Sequence, residues 1–289
     1  MKKKGFLIII LIIVVFGFYY KDQIKLAFDS STVKINGDAA VVIDENTGKV
    51  MYKKNEHRQL YPASTTKLLT ALVVLENASV EEPVTVGREV YLKMEGEASA
   101  GLFEGQVQSV EELLAAMLLQ SGNDAARSLA IFTAQKINGS ALSLDEAEQY
   151  FAQLMNEKAR ELGATDSNFV NPHGLHDPKH YSTAWDLALI AKSAKQNEVI
   201  ESIVNQQSYS TKTHTYTNRN KLLSDGSEYY YGAATGLKTG FTDQAGYCLV
   251  SSAEKDGQKL ITVVLHSGEE TVWTDSITLL DYGFETGNY

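Results

Sequence analysis

The stretch Ser64-Thr65-Thr66-Lys67 leads directly into an apolar run, Leu68 to Leu75. Pro62 lies just ahead of it, and a proline before a helical pattern marks the start of a helix. If a helix begins here, Ser64 and Lys67 share one face, because residues three apart are neighbours on a helix. A serine becomes a nucleophile when a nearby base removes its proton, and an uncharged amine can be that base. The stretch therefore predicts a nucleophile and its base on the first turn of one helix.

The Ser-x-x-Lys spacing is not unique, because it recurs at Ser31 and at Ser252. Two later tripeptides each occur once, Ser121-Gly122-Asn123 and Lys238-Thr239-Gly240. Only Ser64 is followed by a helix-like run and lies upstream of both tripeptides at a plausible distance. Ser-x-x-Lys, Ser-x-Asn and Lys-Thr-Gly, in this order, are the motif set of penicillin-binding proteins and serine β-lactamases. The order selects Ser64 as the candidate nucleophile.

The sequence resembles the low-molecular-mass D-alanyl-D-alanine carboxypeptidases over roughly residues 34 to 286. The likeness extends past the three motifs and takes in Leu119–Ala125, Asn171–Leu175, Tyr181–Ala184 and Thr235–Gly246. The resemblance implies an enzyme that cleaves the terminal D-Ala-D-Ala bond of peptidoglycan stem peptides through an acyl-serine intermediate. It also implies that β-lactam antibiotics bind covalently as inhibitors and that no cofactor takes part.

Acyl transfer requires a nucleophile, a base and donors for the oxyanion. Ser64 is the expected nucleophile, and its own backbone N–H can be one oxyanion donor. Lys67 must be uncharged to act as the base, and burial near Lys238 would lower its pKa. The resemblance implies that the backbone N–H of Phe241 is the second oxyanion donor. It also implies that Ser121 relays a proton to the leaving amine.

The resemblance implies the substrate-binding residues as well. Asn123 is expected to position the substrate backbone and the Lys67 amine. Lys238 and Thr239, with Gly240 beside them, are expected to form the site for the terminal carboxylate of the substrate. These roles complete the set that the three motifs provide.

One position departs from the family pattern. Val272 stands where many members carry an arginine that helps to hold the substrate carboxylate. Lys238 is then expected to bear more of that task, aided by Arg219. The departure keeps a D,D-endopeptidase acting on peptide cross-links as an alternative. A serine β-lactamase and a β-lactam-binding sensor are further alternatives, although the sequence has no Glu-x-x-Leu-Asn to place a hydrolytic water.

A histidine-rich segment suggests a metal site as a competing interpretation. His173, His176 and His180 lie beside Asp177, and side chains of this kind bind zinc. The sequence has no His-Glu-x-x-His, and the segment matches a loop of the serine family. We therefore expect no metal in the site.

The charge and the N-terminal residues constrain partners and location. A formal charge of −10 argues against a nucleic-acid partner. Residues 1–21 hold four lysines and no acid, and the run Phe6 to Tyr20 is uncharged. As a helix this run spans ~22 Å, short of a ~30 Å hydrocarbon core unless flanking lysines reach outward. Because no Ala-x-Ala-like cleavage site follows, we expect an uncleaved signal anchor and an extracytoplasmic body tethered to the membrane, with a removed signal peptide as the alternative.

Strand-like segments gather at both ends of the chain and helix-like segments in the middle. The predicted strands are Ala39–Asp44, Lys49–Lys54, Tyr209–Tyr216, Leu237–Thr239, Tyr247–Ser252 and Leu260–Leu265. Capping boxes at Ser109-x-x-Glu112 and Ser143-x-x-Glu146 open two of the helical patterns. This division predicts an α+β (mixed α/β) fold, a mainly antiparallel sheet with an inserted helical subdomain. The resemblance implies that the sheet has five strands flanked by helices.

The same division predicts the domain boundaries. Residues 1–21 form the signal anchor or signal peptide, and residues 22–33 form a polar linker. The catalytic domain covers residues 34–289. Its sheet part takes about 34–82 and 196–289, and its helical part takes about 83–195.

Overall fold

The computed structural model describes residues 33–287. The predicted anchor over residues 1–21 and nearly all of the linker lie outside this range. Among the residues described, no helix is long and apolar enough to cross a membrane.

The central sheet is built from both ends of the described chain. Its five strands are β1 (Ala39–Asp44), β2 (Val50–Lys54), β7 (Ala234–Thr242), β8 (Gly246–Lys255) and β9 (Gln258–Ser267). They lie in the order β2-β1-β9-β8-β7, and every neighbouring pair is antiparallel. The predicted five-stranded antiparallel sheet in a mixed α/β fold is therefore confirmed, and β7 is an edge strand of this sheet.

Seven α-helices accompany the sheet within the described residues. They are α1 (Lys67–Asn77), α2 (Val110–Leu118), α3 (Asn123–Asn138), α4 (Leu144–Glu161), α5 (Ala184–Gln196), α6 (Glu198–Val204) and α7 (Thr271–Thr286). Both predicted capping boxes are present, at Ser109 before α2 and at Ser143 before α4. In each box the serine side chain accepts a bond from the backbone N–H three residues on, which satisfies an N–H that the helix leaves free.

Helices cover both faces of the sheet. On one face, α7 lies so close that a Cβ on Gly283 would be 2.6 Å from Leu260 and 3.2 Å from Val42. On the other face, alternate residues such as Val41 and Val263 join the main hydrophobic core. Helix α5 packs there against β1 and β9, and α1 packs against α3, α4 and α5. The helix that follows Ser64 is consequently enclosed by other helices.

Within the described residues, two small two-stranded antiparallel sheets lie apart from the central sheet. The first pairs β3 (Pro83–Thr85) with β4 (Val107–Ser109), and the second pairs β5 (Ser208–Ser210) with β6 (Thr215–Thr217). The prediction of one strand over Tyr209–Tyr216 is therefore wrong. The hydroxyl of Thr211 accepts bonds from the N–H groups of Thr213 and His214, and this turn reverses the chain. The segment contains no glycine or proline that would indicate a turn in the sequence.

Candidate active site

Ser64 lies in a short 3₁₀ turn, Ala63–Thr66, and the α-helix α1 begins only at Lys67. The expectation that Ser64 sits in the first turn of an α-helix is thus corrected. Ala63 has a φ of +48°, outside right-handed helical geometry, so the regular helix cannot begin before it. The tighter turn still places the side chains of Ser64 and Lys67 in contact, with Lys67 Nζ 2.9 Å from Ser64 Oγ.

Two glycines allow other segments to approach this turn. A Cβ on Gly240 of β7 would lie 3.1 Å from the backbone nitrogen of Ser64. A Cβ on Gly174, whose φ is +84°, would lie 1.9 Å from the carbonyl oxygen of Ala63. Side chains at either position would push the segments apart. The Lys-Thr-Gly strand and the Asn171–Leu175 loop therefore both contact the backbone around Ser64.

Lys67 is fully buried, and no carboxylate of the described residues contacts its amine directly. Besides Ser64 Oγ, its Nζ contacts Asn123 Oδ1 at 2.7 Å and the carbonyl oxygen of His173 at 2.6 Å. Burial, followed by the positive charges of Lys238 and Arg127, holds the pKa of Lys67 well below its usual range. An uncharged amine has two N–H donors and one lone pair. Two bonds to the carbonyl oxygens leave that lone pair for the Ser64 hydroxyl.

Ser121 and Asn123 reach the same place from the junction of α2 and α3. Ser121 has a φ of +64° and is followed by Gly122, where a Cβ would lie 2.8 Å from Ala100. Asn123 is the first residue of α3, and both polar side chains are buried. The sharp turn between the helices thus directs the Ser-x-Asn motif toward Lys67.

The third motif contributes a second buried lysine. Lys238 Nζ donates to the carbonyl oxygen of Thr239 at 3.1 Å, and its side chain is 1% exposed. Burial, with a smaller effect from Arg219, lowers the pKa of Lys238 to about 7. Lys238 consequently carries only part of its usual charge at neutral pH.

The residues predicted from the sequence meet at one cavity of about 680 Å³. Those that line it are Ser64, Ser121, Asn123, Arg219, Thr239, Gly240, Phe241 and Val272. Lys67 and Lys238 are buried behind this lining. The walls also include His176, Trp273 and a segment from Met94 to Ala98. The cavity is large enough for a short peptide end.

Sequence reasoning missed Asp124, which holds the four residues that follow the Met94–Ala98 wall segment. Its carboxylate accepts bonds from the N–H groups of Ala100, Gly101 and Leu102 and from the Ser99 hydroxyl. These bonds tie residues 99–102 to the start of α3. Asp124 adjoins the Ser-x-Asn motif, but no local pattern links it to a loop more than twenty residues earlier.

The side chains of Ser252 and of the three competing histidines have other partners. Ser252 is buried in β8, where its hydroxyl lies 2.8 Å from that of Thr235, and Ser31 lies outside the described residues. His180 Nδ1 accepts from the N–H of Val170, and its Nε2 lies 2.8 Å from the Thr66 hydroxyl. His173 Nδ1 accepts a backbone N–H, and the His176 ring packs on Tyr61. Over residues 33–287, no three His, Cys, Asp or Glu side chains are grouped so as to hold a metal ion.

Known structures share this fold. A Streptomyces DD-transpeptidase superposes with a TM-score of 0.80 at 31% identity, covering 88% of this chain and 98% of its own. A D-alanyl-D-alanine carboxypeptidase from Mycobacterium tuberculosis gives a TM-score of 0.76 at 28% identity, covering 88% and 92%. The fold is thus that of the D,D-peptidases.

The family follows from the sequence comparisons. The sequence model of the D-alanyl-D-alanine carboxypeptidase family matches residues 26–269, and the chain belongs to this family. It is 33% identical over 255 residues to the D-alanyl-D-alanine carboxypeptidase DacF of Bacillus subtilis, which covers 85% of this chain and 61% of DacF. It is 32% identical to a carboxypeptidase of a Streptomyces species, covering 84% of this chain and 85% of that protein. The chain spans about three-fifths of the length of DacF.

Burial of the charged form of Lys238 should lower the free energy of unfolding at low pH, where this lysine is protonated in the folded protein. Below about pH 7 the folded protein holds a charged Lys238 out of water, and this cost falls as the pH rises toward the ordinary lysine pKa. We expect Lys238→Met to raise the free energy of unfolding by roughly 1–3 kcal/mol at pH 6, and by much less at pH 10. Urea unfolding at the two pH values measures this.

Lys255→Met is the matched control, because Lys255 lies exposed at the end of the neighbouring strand. It should leave the free energy of unfolding nearly unchanged at both pH values. A Lys238→Met protein that is less stable at pH 6 than the wild type would contradict the burial cost.

Proposed function

We propose that the chain is a serine D,D-carboxypeptidase that removes the terminal D-alanine of peptidoglycan stem peptides through an acyl-Ser64 intermediate. The observation that carries the proposal is the 2.9 Å contact between the Ser64 hydroxyl and the buried Lys67 amine. Family membership and the D,D-peptidase fold supply the substrate class. The Lys67 amine is the base, because burial favours its uncharged form.

Acylation begins with transfer of the Ser64 hydroxyl proton to Lys67 Nζ. The Ser64 oxygen then attacks the carbonyl carbon between the two D-alanine residues and forms a tetrahedral adduct. The backbone N–H groups of Ser64 and Phe241 donate to its oxyanion, and each such donor is worth roughly 3–4 kcal/mol of barrier. The close approach of β7 to the Ser64 turn at Gly240 supports this pairing of donors.

Departure of D-alanine requires a proton on its nitrogen. Ser121 relays the proton from Lys67 to that nitrogen as the peptide C–N bond breaks, which leaves an ester on Ser64. Water then attacks the ester while Lys67 accepts a proton from it. As the C–O bond to Ser64 breaks, Lys67 returns this proton to the Ser64 oxygen, so the products are a shortened peptide acid and the restored enzyme.

The substrate carboxylate occupies the end of the cavity nearest the Lys-Thr-Gly strand. Lys238 and the hydroxyl of Thr239 bind it, aided by Arg219. An incoming carboxylate favours the charged form of Lys238, whose pKa near 7 makes that charge responsive to the ligand. Asn123 holds the Lys67 amine and positions the substrate backbone.

The wider assignments belong to the same proposal. β-Lactam antibiotics acylate Ser64, because they present a strained acyl group to the same machinery. Residues 1–21 tether the enzyme to the membrane, residues 22–33 link the anchor to the body, and residues 34–289 work outside the cytoplasm. The sheet part of the catalytic domain, about 34–82 and 196–289, and the helical part, about 83–195, enclose the site between them.

D,D-endopeptidase activity on peptide cross-links is the second candidate. Val272 is 2% exposed and lines the cavity beside Trp273, at the position where many family members carry an arginine. Without that guanidinium, the carboxylate end of the cavity selects less strongly for a free terminus. A substrate whose terminus continues into a cross-link is then less disfavoured.

Ser64→Ala should abolish covalent labelling by fluorescent penicillin and release of D-alanine from a synthetic pentapeptide, because no other hydroxyl contacts Lys67 Nζ within residues 33–287. Gel fluorescence and mass spectrometry of the products measure the two losses. Ser31→Ala and Ser252→Ala are the controls and should keep both activities. Full labelling of the Ser64→Ala protein would disprove the assignment, and rapid turnover of a chromogenic cephalosporin would favour a β-lactamase.

Val272→Arg should lower KM by about tenfold or more for a peptide ending in a free D-alanine carboxylate, since a charge-assisted hydrogen bond is worth about 1.5–3 kcal/mol and about 1.4 kcal/mol is tenfold. KM for the same peptide with a C-terminal amide should not change. Val272→Met controls for the longer side chain without its charge and should affect neither. Equal changes for the acid and the amide would contradict a carboxylate-specific effect.

A further inference from the structure

A buried ion pair lies beside the catalytic cavity and has no part in the mechanism above. Arg127 Nη1 donates to Glu97 Oε1 at 2.7 Å, and Arg127 Nη2 donates to Glu97 Oε2 at 2.8 Å. The two side chains are only 4% and 1% exposed. Burying two charges costs more free energy than burying apolar side chains of the same size, even when both are hydrogen-bonded. Stability alone is therefore a poor reason for this pair.

The pair joins one wall of the cavity to the helix that carries Asn123. Glu97 belongs to the wall segment Met94–Ala98, and Arg127 lies one helical turn after Asn123 on α3. The next wall residue, Ala98, accepts a bond from the backbone N–H of Asn123 at 2.9 Å. Movement of the wall would therefore move Asn123, whose Oδ1 holds the Lys67 amine.

The pair also places two opposite charges near Lys67. Charged and titratable groups from four elements act on this amine or face it: Lys238 of β7, Arg127 and Asp124 of α3, Glu97 of the wall segment, and His173 and His180 of the loop before α5. After burial, Lys238 and Arg127 lower the pKa of Lys67, whereas Glu97 and Asp124 raise it. Burial also favours the uncharged forms of both histidines. Loss of Glu97 or of Arg127 therefore changes the field at Lys67 in opposite directions.

We propose that Glu97 and Arg127 are positioning residues for acylation, which fix the Met94–Ala98 wall against Asn123 and balance the charge around Lys67. The inference rests on the proposed function of Ser64 and Lys67. It assigns no contact between the pair and the reacting atoms. The expected effect is electrostatic. Removal of Arg127 and removal of Glu97 should shift the pKa of Lys67 in opposite directions, whereas a general loss of structure would not give two opposite shifts.

The test measures the second-order rate constant of acylation by fluorescent penicillin against pH. Variants of the full chain are Glu97→Gln, Arg127→Met and the double variant, with Arg127→Lys to restore the charge without the paired geometry. Glu82→Gln is the matched control, because Glu82 pairs with Lys136 on the surface. Circular dichroism and thermal melting establish that each variant is folded.

The acidic limb of the profile is the rise of the acylation rate constant with increasing pH, and under the proposal it reports the loss of the proton from Lys67. Arg127→Met removes a positive charge and should move the limb to higher pH, by about 0.5–1 pH unit. Glu97→Gln removes a negative charge and should move it to lower pH by a similar amount. The double variant should return the limb close to the wild-type position with a lower plateau rate. Arg127→Lys should keep the wild-type limb, also with a lower rate, and Glu82→Gln should change nothing.

Three outcomes overturn the inference. Limbs that stay in place in both single variants show that the pair does not act on Lys67, and limbs that move in the same direction show a general disturbance of the site. If Arg127→Met does not fold, Arg127→Lys decides, and a displaced limb in that variant contradicts the charge balance. A wild-type protein without Ser64-dependent acylation would instead overturn the proposed function itself, so the two failures are distinguishable.

Discussion

Contact between the Ser64 hydroxyl and an amine without charge is the constraint on which the site depends. Burial favours the uncharged form of Lys67, and Asn123 Oδ1 and the His173 carbonyl oxygen accept bonds from its amine. Each partner comes from a different segment of the chain, so the contact exists only when those segments have assembled. A second buried lysine, Lys238, reinforces the effect and adds to its cost in stability.

The architecture explains how these segments come together. A sheet built from both ends of the chain places β7 at an edge, beside the turn that carries Ser64. Gly240 and Gly174 then allow backbone to approach backbone where side chains would intervene. The α2–α3 junction completes the site by turning Ser121 and Asn123 inward. Precision here comes from packed backbone, which holds catalytic groups better than mobile side chains do.

Sequence alone predicted much of this arrangement, and the reasons for its failures are physical. Local patterns of a few residues predicted each of the three motifs, the capping boxes at Ser109 and Ser143 and the strands of the central sheet. The turn inside Tyr209–Tyr216 depends on a threonine hydroxyl rather than on glycine or proline. Asp124 and the Glu97–Arg127 pair act across more than twenty residues, and no local pattern encodes such contacts. The roles of the site residues themselves stay predictions.

The protonation of Lys67 is the most direct measure of the whole account. Lysine labelled with ¹³C at Cε gives one NMR signal per side chain, and the Lys67 signal is assigned by its absence from Lys67→Met. Because burial and the neighbouring positive charges lower the pKa of Lys67, its signal should titrate at a clearly lower pH than the signals of the surface lysines. A Lys67 signal that titrates together with the surface lysines would contradict the account.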